Sequence, residues 1–151
     1  MEFVEFNHTD RCYSERIRDL FFDSYSFEAG LIGVPDFPPL RRTVDDICCA
    51  QSTFIGCMFD DRVVAVAEIE RNGDVSANIA GFAVHPSCFR QGVGSRLLCH
   101  LLSSFGKTPV TVSTALKNQP AISLYKTHGF RVANRWATQC GIEMVTLLRT
   151  V

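Results

Sequence analysis

The sequence predicts a single α/β domain on a mixed sheet, and three observations carry that prediction. The 151 residues give one domain one core and leave little room for a second. Apolar spacing alternates along the chain between the helical period and the strand period, in the order helix, helix, three strands, helix, strand, helix, two strands. Asn72-Gly73 lies between two apolar runs and marks a hairpin, because both residues tolerate positive φ.

Taken in order, "SERIRDLFFDSYSF" places Ile17, Leu20, Phe21 and Tyr25 near helical spacing and predicts a first helix over Ser14–Phe27. "EAGLIGVPDFPPL" reads as a Gly- and Pro-rich loop. "TVDDICC" opens a second helix, with Thr43 as N-cap and Asp45 and Asp46 complementing the helix dipole. "STFIGCMF", "RVVAVAEIE" and "DVSANIAGFAV" are strands, the first two parted by Asp60-Asp61. "GVGSRLLCHLLSSF" carries Val93, Leu97, Leu98, Leu101 and Leu102 on one stripe and is the long central helix. "PVTVSTAL" is a buried strand. "PAISLYKTHG" is a short helix, with Pro120 suited to its first turn and Gly129 to its C′ position. "FRVANRWATQ" and "IEMVTLLRTV" are the last two strands.

Composition excludes several classes. Charged residues at 21% and a hydrophobic fraction of 46% describe an ordinary globular chain. No apolar run approaches the roughly 20 residues of a membrane span. "MEFVEFNHTD" has acids where a signal peptide needs basic residues, so the expected location is cytoplasmic. The seven cysteines are odd in number and form no CxxC, and the four histidines lack ligand spacing, so no metal site is expected. Charge is uneven. Residues 1–74 hold fifteen acids against seven arginines, whereas residues 75–142 hold seven basic residues and no acid. Two differently charged ligands meeting on one domain would account for this.

The most informative stretch is "VHPSCFRQGVGSRLL". A strand that turns into a helix aims the free N–H groups of the first helical turn past the strand end, where they bind anions. Gly92 and Gly94 let a ligand approach the backbone there, and Arg90 and Arg96 flank the turn. No Gly-Lys-Ser/Thr follows, which excludes a Walker loop. Leu97 stands where a dinucleotide fingerprint needs its third glycine, and no acid follows the turn until Glu143. By itself the pair of glycines is also compatible with a plain tight turn.

A second constellation, "NQPAISLYKTHGF", places Asn118, Ala121, Tyr125 and Gly129-Phe130 at fixed offsets. Together the two stretches resemble the GNAT superfamily of acetyl-CoA-dependent N-acetyltransferases, over about residues 75–131. The resemblance implies a mixed, mostly antiparallel central sheet flanked by helices, with residues 1–151 as one N-acetyltransferase domain. It implies that the turn Phe89-Arg90-Gln91-Gly92-Val93-Gly94, with Ser95, binds the pyrophosphate of coenzyme A, although the family has Gln/Arg where this chain has Phe89. It implies main-chain contacts from Phe82, Ala83 and Val84 to the pantetheine arm beside a bulge at Gly81. Asn118 and Ala121 would complete the cofactor site, and the Tyr125 hydroxyl would protonate the leaving thiolate. Read without the family, Tyr125 is a core tyrosine beside Leu124.

The base is unassigned. Some relatives carry a glutamate where this chain has Asn78; Glu68 and Glu70 are candidates, but a two-residue turn would pair Glu68 with Ala77 and point it away from Asn78. The expected reaction is acetyl transfer from acetyl-CoA to a primary amine of a small molecule or peptide by direct aminolysis. The alternatives are a non-catalytic acyl-CoA sensor and a protein- or RNA-directed acetyltransferase. A pI of about 6.4 argues against nucleic acid. The acceptor would approach over the acid-rich N-terminal half, where Arg41 and Arg42 either clamp an acceptor anion or lie in solvent. A homodimer is left open.

Overall fold

The computed structural model describes residues Met1–Val151. Seven strands form one sheet: β1 (Val4–Phe6), β2 (Thr53–Phe59), β3 (Arg62–Asn72), β4 (Ser76–Val84), β5 (Val110–Ala115), β6 (Arg131–Ala137) and β7 (Glu143–Arg149). Their order is β1-β2-β3-β4-β5-β7-β6, and only the β4–β5 pair is parallel. The helices are α1 (Arg11–Ile32), α2 (Val44–Cys48), α3 (Val93–Phe105) and α4 (Gln119–Thr127). The α3 crossover between β4 and β5 creates the parallel pair, since parallel neighbours need a long connection. This is the mixed, mostly antiparallel α/β sheet that the sequence predicts.

Each face has its own core. Val93, Leu97, Leu98, Leu101, Leu102 and Phe105 of α3 pack with Tyr125 and Phe130 against Ala65, Ala67, Ile69, Ile79 and Val112. Burying each large side chain there contributes roughly 1.5–3 kcal/mol. On the other face, Ile17, Leu20 and Phe21 of α1 meet Ile47, Phe54, Val66 and Ala83.

The structure departs from the sequence reading in three places. First, α1 continues five residues past Phe27 and takes in "EAGLI", ending at Gly33, whose φ of 74° allows its N–H to cap Ala29 O. Gly30 inside a helix costs about 1 kcal/mol relative to Ala. Burial of Ala29 and Ile32 against Phe37 and Ala115 offsets it. Second, β1 is an additional strand, held by Val4–Phe6 pairing with Phe54–Gly56. Third, the β3–β4 connection has three residues: Asn72 pairs with Ser76 and Ala77 with Arg71. That one-residue change flips the faces. Arg71 lies over Phe105, while Glu68 joins Glu70 and Asn78 on the face toward α1.

Candidate active site

The parallel pair is short. Ala77–Ile79 pair with Val110–Val112, and no residue of β4 beyond Ile79 reaches β5. The β3–β4 register shifts there, with Glu68 opposite Gly81 and Ile69 opposite Ile79, so Ala80 is the extra residue of a bulge. Gly81 suits that position: a Cβ would lie 3.2 Å from Phe21 and 3.4 Å from Glu68. Phe82, Ala83 and Val84 keep their partners on β3, while the edge of β4 facing β5 has no strand partner there, and the Phe82 main chain meets the Tyr25 hydroxyl of α1. The two strands thus diverge into a gap.

One wall of the gap comes from α3 and α4. A Cβ on Gly94 would sit 3.5–3.6 Å from Val84, Leu124 and Phe82, which is ordinary contact. Gly94 is therefore not required by the packing of the protein itself, and its bare backbone remains available at the gap. The Phe82 ring stands edge-on to Tyr125, with centroids 6.0 Å apart, and Ala121 packs partly buried one turn before Tyr125. Ala83 points to the other face, into the α1 core.

The mouth is the strand-to-helix turn. Arg90 and Gly92 both have positive φ, 62° and 78°, and only at Gly92 does the residue type suit this conformation at no steric cost. Gly92 is the N-cap of α3, makes no side-chain capping bond, and accepts the first helical bond from Arg96. The N–H groups of Val93, Gly94 and Ser95 consequently have no helical acceptor, and the first turn carries no acid. Such an end favours an anion through both donors and dipole. The Val93 side chain is buried, so this residue offers only its N–H. Gln91 and Arg90 are exposed, and Gln91 bonds back to Ser87 O at 3.0 Å. Phe89 contributes no charge; its ring meets Phe27 of α1 at 4.9 Å. Ser95 Oγ lies 3.0 Å from His128 Nε2, whose Nδ1 faces Leu124 O at 2.9 Å. A carbonyl can only accept, so Nδ1 presents its N–H to Leu124, and in the neutral ring Ser95 donates to Nε2.

Across the gap lies the C-terminal half of α1. Asn118 caps α4 through Oδ1, which accepts from Ala121 N at 3.3 Å, and its Nδ2 donates to Glu28 at 2.8 Å. Burial pushes the Glu28 carboxyl up, opposed by that Asn118 bond. Burial likewise raises Tyr125, with Tyr25 and Glu28 adding to the effect, so its phenol keeps its proton throughout the neutral range. The Tyr125 hydroxyl has no hydrogen-bond partner in the protein, and Tyr25 is raised by burial and by Glu28 as well.

The candidate bases named from the sequence are differently disposed. Glu68 is buried and held by Arg42 at 2.5 and 2.9 Å and by Ser52 at 2.5 Å. Burial alone would raise it, but Arg42 and Ser52 keep it below the ordinary carboxylate range. Glu70 and Thr111 both bond to Asn78, which fills its place with a closed amide network. Arg41 pairs with Asp36 and Arg42 with Glu68, so neither is a free clamp for an acceptor. The sequence reading missed Glu28, Tyr25 and His128. For Glu28 a signal existed: Phe21, Tyr25, Glu28 and Ile32 keep helical spacing, so the carboxylate occupies an apolar register.

Three relatives bear on identity. The chain is 30% identical over 134 residues to UPF0157 protein YqkA of Bacillus subtilis, a match covering 88% of this chain and 38% of that one. This chain therefore spans little more than a third of that relative's length. The ribosomal-protein-S18-alanine N-acetyltransferase of Escherichia coli superposes with a TM-score of 0.77 at 19% identity, over 99% of this chain and 93% of that one. The PaiA N-acetyltransferase of Thermoplasma acidophilum, solved with coenzyme A, superposes over 100% of both chains with a TM-score of 0.76 at 13% identity. A family model for the acetyltransferase (GNAT) family matches residues 14–130, and the chain belongs to that family.

Proposed function

We propose that residues 1–151 act as one domain that transfers the acetyl group of acetyl-CoA to a primary amine by direct aminolysis. The observation that carries the reading is the β4–β5 gap, which leads from the free N-terminus of α3 to the unpartnered hydroxyl of Tyr125, a residue otherwise buried in the core. In this reading the pyrophosphate of coenzyme A lies on the N–H groups of Val93, Gly94 and Ser95, with Phe89, Arg90, Gln91 and Gly92 shaping the turn. The pantetheine arm runs along the open edge of Phe82, Ala83 and Val84, and Asn118 and Ala121 border it from α4. Acetyl-CoA supplies the acyl group and the thiol leaving group. Tyr125, kept protonated by its burial, donates the proton that the leaving sulfur needs. No residue set of this chain gathers metal ligands, and the reaction as written requires none.

The acceptor reaches the far side of the thioester over α1 and the segment before α2, the half of the chain rich in acids. That field favours a cationic or zwitterionic small amine over an acidic peptide. The test has two readouts: calorimetric titration with acetyl-CoA, and thiol release with a panel of polyamines, amino acids, aminoglycosides and lysine peptides. Saturable binding with turnover of a small cationic amine is expected. Binding without turnover would instead make the domain an acyl-CoA sensor, and activity confined to acidic peptides would overturn the acceptor class.

A further inference from the structure

We infer that Glu28 is the catalytic base: its carboxylate takes the proton from the acceptor's ammonium. The inference rests on the acetyl-transfer reading above and supplies the group that the sequence left unassigned. Any carboxylate serving here must border the gap, lie partly out of water, and be free of a cation. Glu68 borders the gap through Gly81 but is bound to Arg42 and Ser52. Glu70 is exposed and bonded to Asn78. Asp23 is exposed and faces His85 at 3.5 Å. Glu28 is half-buried, forms no ion pair, and is bonded at 2.8 Å to Asn118 on the opposite wall.

The Asn118 contact links this group to cofactor occupancy. When the Asn118 amide turns to the pantetheine arm, Glu28 loses the one side-chain donor that holds it, and the carboxylate becomes free for an incoming cation. The groups facing it are Tyr25 on its own helix, Tyr125 and Asn118; both phenols stay protonated, and the Arg42–Glu68 pair beyond Tyr25 is internally neutral. Burial raises the Glu28 carboxyl, which makes it a stronger base than an exposed glutamate.

The step balances. A proton passes from the ammonium to Glu28 Oε, which leaves a lone pair on nitrogen. That nitrogen bonds to the acetyl carbonyl carbon, the carbon–sulfur bond breaks, and the thiolate takes the Tyr125 proton. The tyrosinate recovers a proton from the acylated nitrogen, and Glu28 releases its own to solvent.

The test measures kcat/KM against pH for wild type and Glu28→Gln, with two acceptors: the fastest basic amine of the panel, and hydroxylamine, which is neutral at pH 7. With the basic amine, Glu28→Gln should lose at least about 100-fold at pH 7. Its remaining activity should climb about tenfold per pH unit toward the amine's own pKa, because only the neutral fraction reacts. With hydroxylamine, after subtraction of the uncatalysed rate, it should stay within about threefold of wild type, and its acetyl-CoA Kd within about twofold. Equal losses on both acceptors, an unchanged profile, or a tenfold loss of acetyl-CoA affinity would each overturn the assignment and leave Glu28 as an anchor for Asn118. If Glu28→Gln fails to fold, Glu28→Asp carries the test: a slower enzyme with the wild-type acid limb supports the base, and a lost limb refutes it. A wild type that binds acetyl-CoA and acetylates nothing refutes the transfer reading itself, whereas normal wild-type turnover with a normal Glu28→Gln refutes only this one.

Discussion

Gly92→Val separates backbone strain from ligand access at the turn before α3. Gly92 has φ of 78°, and a Cβ built on it meets no atom within 4 Å. The Cβ itself therefore overlaps nothing, and the cost is chiefly that of the left-handed backbone. For a non-glycine residue that is roughly 1–2 kcal/mol. At roughly 2–4 °C per kcal/mol for a chain of this size, Tm should fall by about 2–8 °C. The open space that spares the fold is where a phosphate must approach the N–H groups of Val93–Ser95, so acetyl-CoA affinity should fall at least about tenfold, or 1.4 kcal/mol. Gly73→Val is the control. Its φ is 53°, it also has nothing within 4 Å, and it lies in the β3–β4 turn, before the paired Ala77–Ile79 segment rather than beyond it. Both variants should melt early, and only Gly92→Val should bind poorly by calorimetry. Affinity unchanged in a folded Gly92→Val, or equally reduced in both variants, would refute the assignment of this turn to the pyrophosphate.

Tyr125→Phe should lower kcat by about 100-fold with acetyl-CoA Kd within about twofold, because only the proton for sulfur is removed; activity within twofold of wild type would make Tyr125 a core residue. Arg42→Met leaves the buried Glu68 carboxylate unpaired and should cost about 3–5 kcal/mol in urea unfolding at pH 7. The sign with pH follows from the lowered Glu68. In wild type its contribution is present above the unfolded carboxylate pKa of about 4.3 and is lost as pH falls through the folded value. In Arg42→Met, burial with Ser52 as the one remaining side-chain donor raises the group relative to wild type, so the deficit should shrink on acidification toward pH 5. A constant deficit would show that packing of Arg42 over Phe21 and Phe54, not charge, is what was lost.

What the sequence made legible follows the range of the interactions involved. The stretch from β4 to α4 could be read because its signals are local: a strand run, two glycines opening a helix, and a Pro120 in the first turn of the next; the N-capping role of Asn118 is visible only in the structure. The bulge at Ala80–Gly81 was legible for the same reason, since glycine in a strand marks a bend. The C-terminal half of α1 was not. Its Gly30 and the following Pro35 read as a break, and only the contact of Ala29 and Ile32 with Phe37 and with Ala115, about 80 residues away, keeps the helix going. That misreading had a chemical consequence. Placing Glu28 in a loop hid the one carboxylate that faces Asn118 without a cation. The turn length misled in the same direction, because a one-residue difference in the hairpin decides which face Glu68 occupies. With the true register, Glu68 shares the face of Asn78 and would look like the base, were it not for Arg42, which arrives from a segment 26 residues earlier. In the proposed reading, cofactor recognition is thus written in short-range backbone chemistry. The acceptor side, in the same reading, is written in long-range contacts between α1, the segment before α2 and the sheet, which a single sequence does not display.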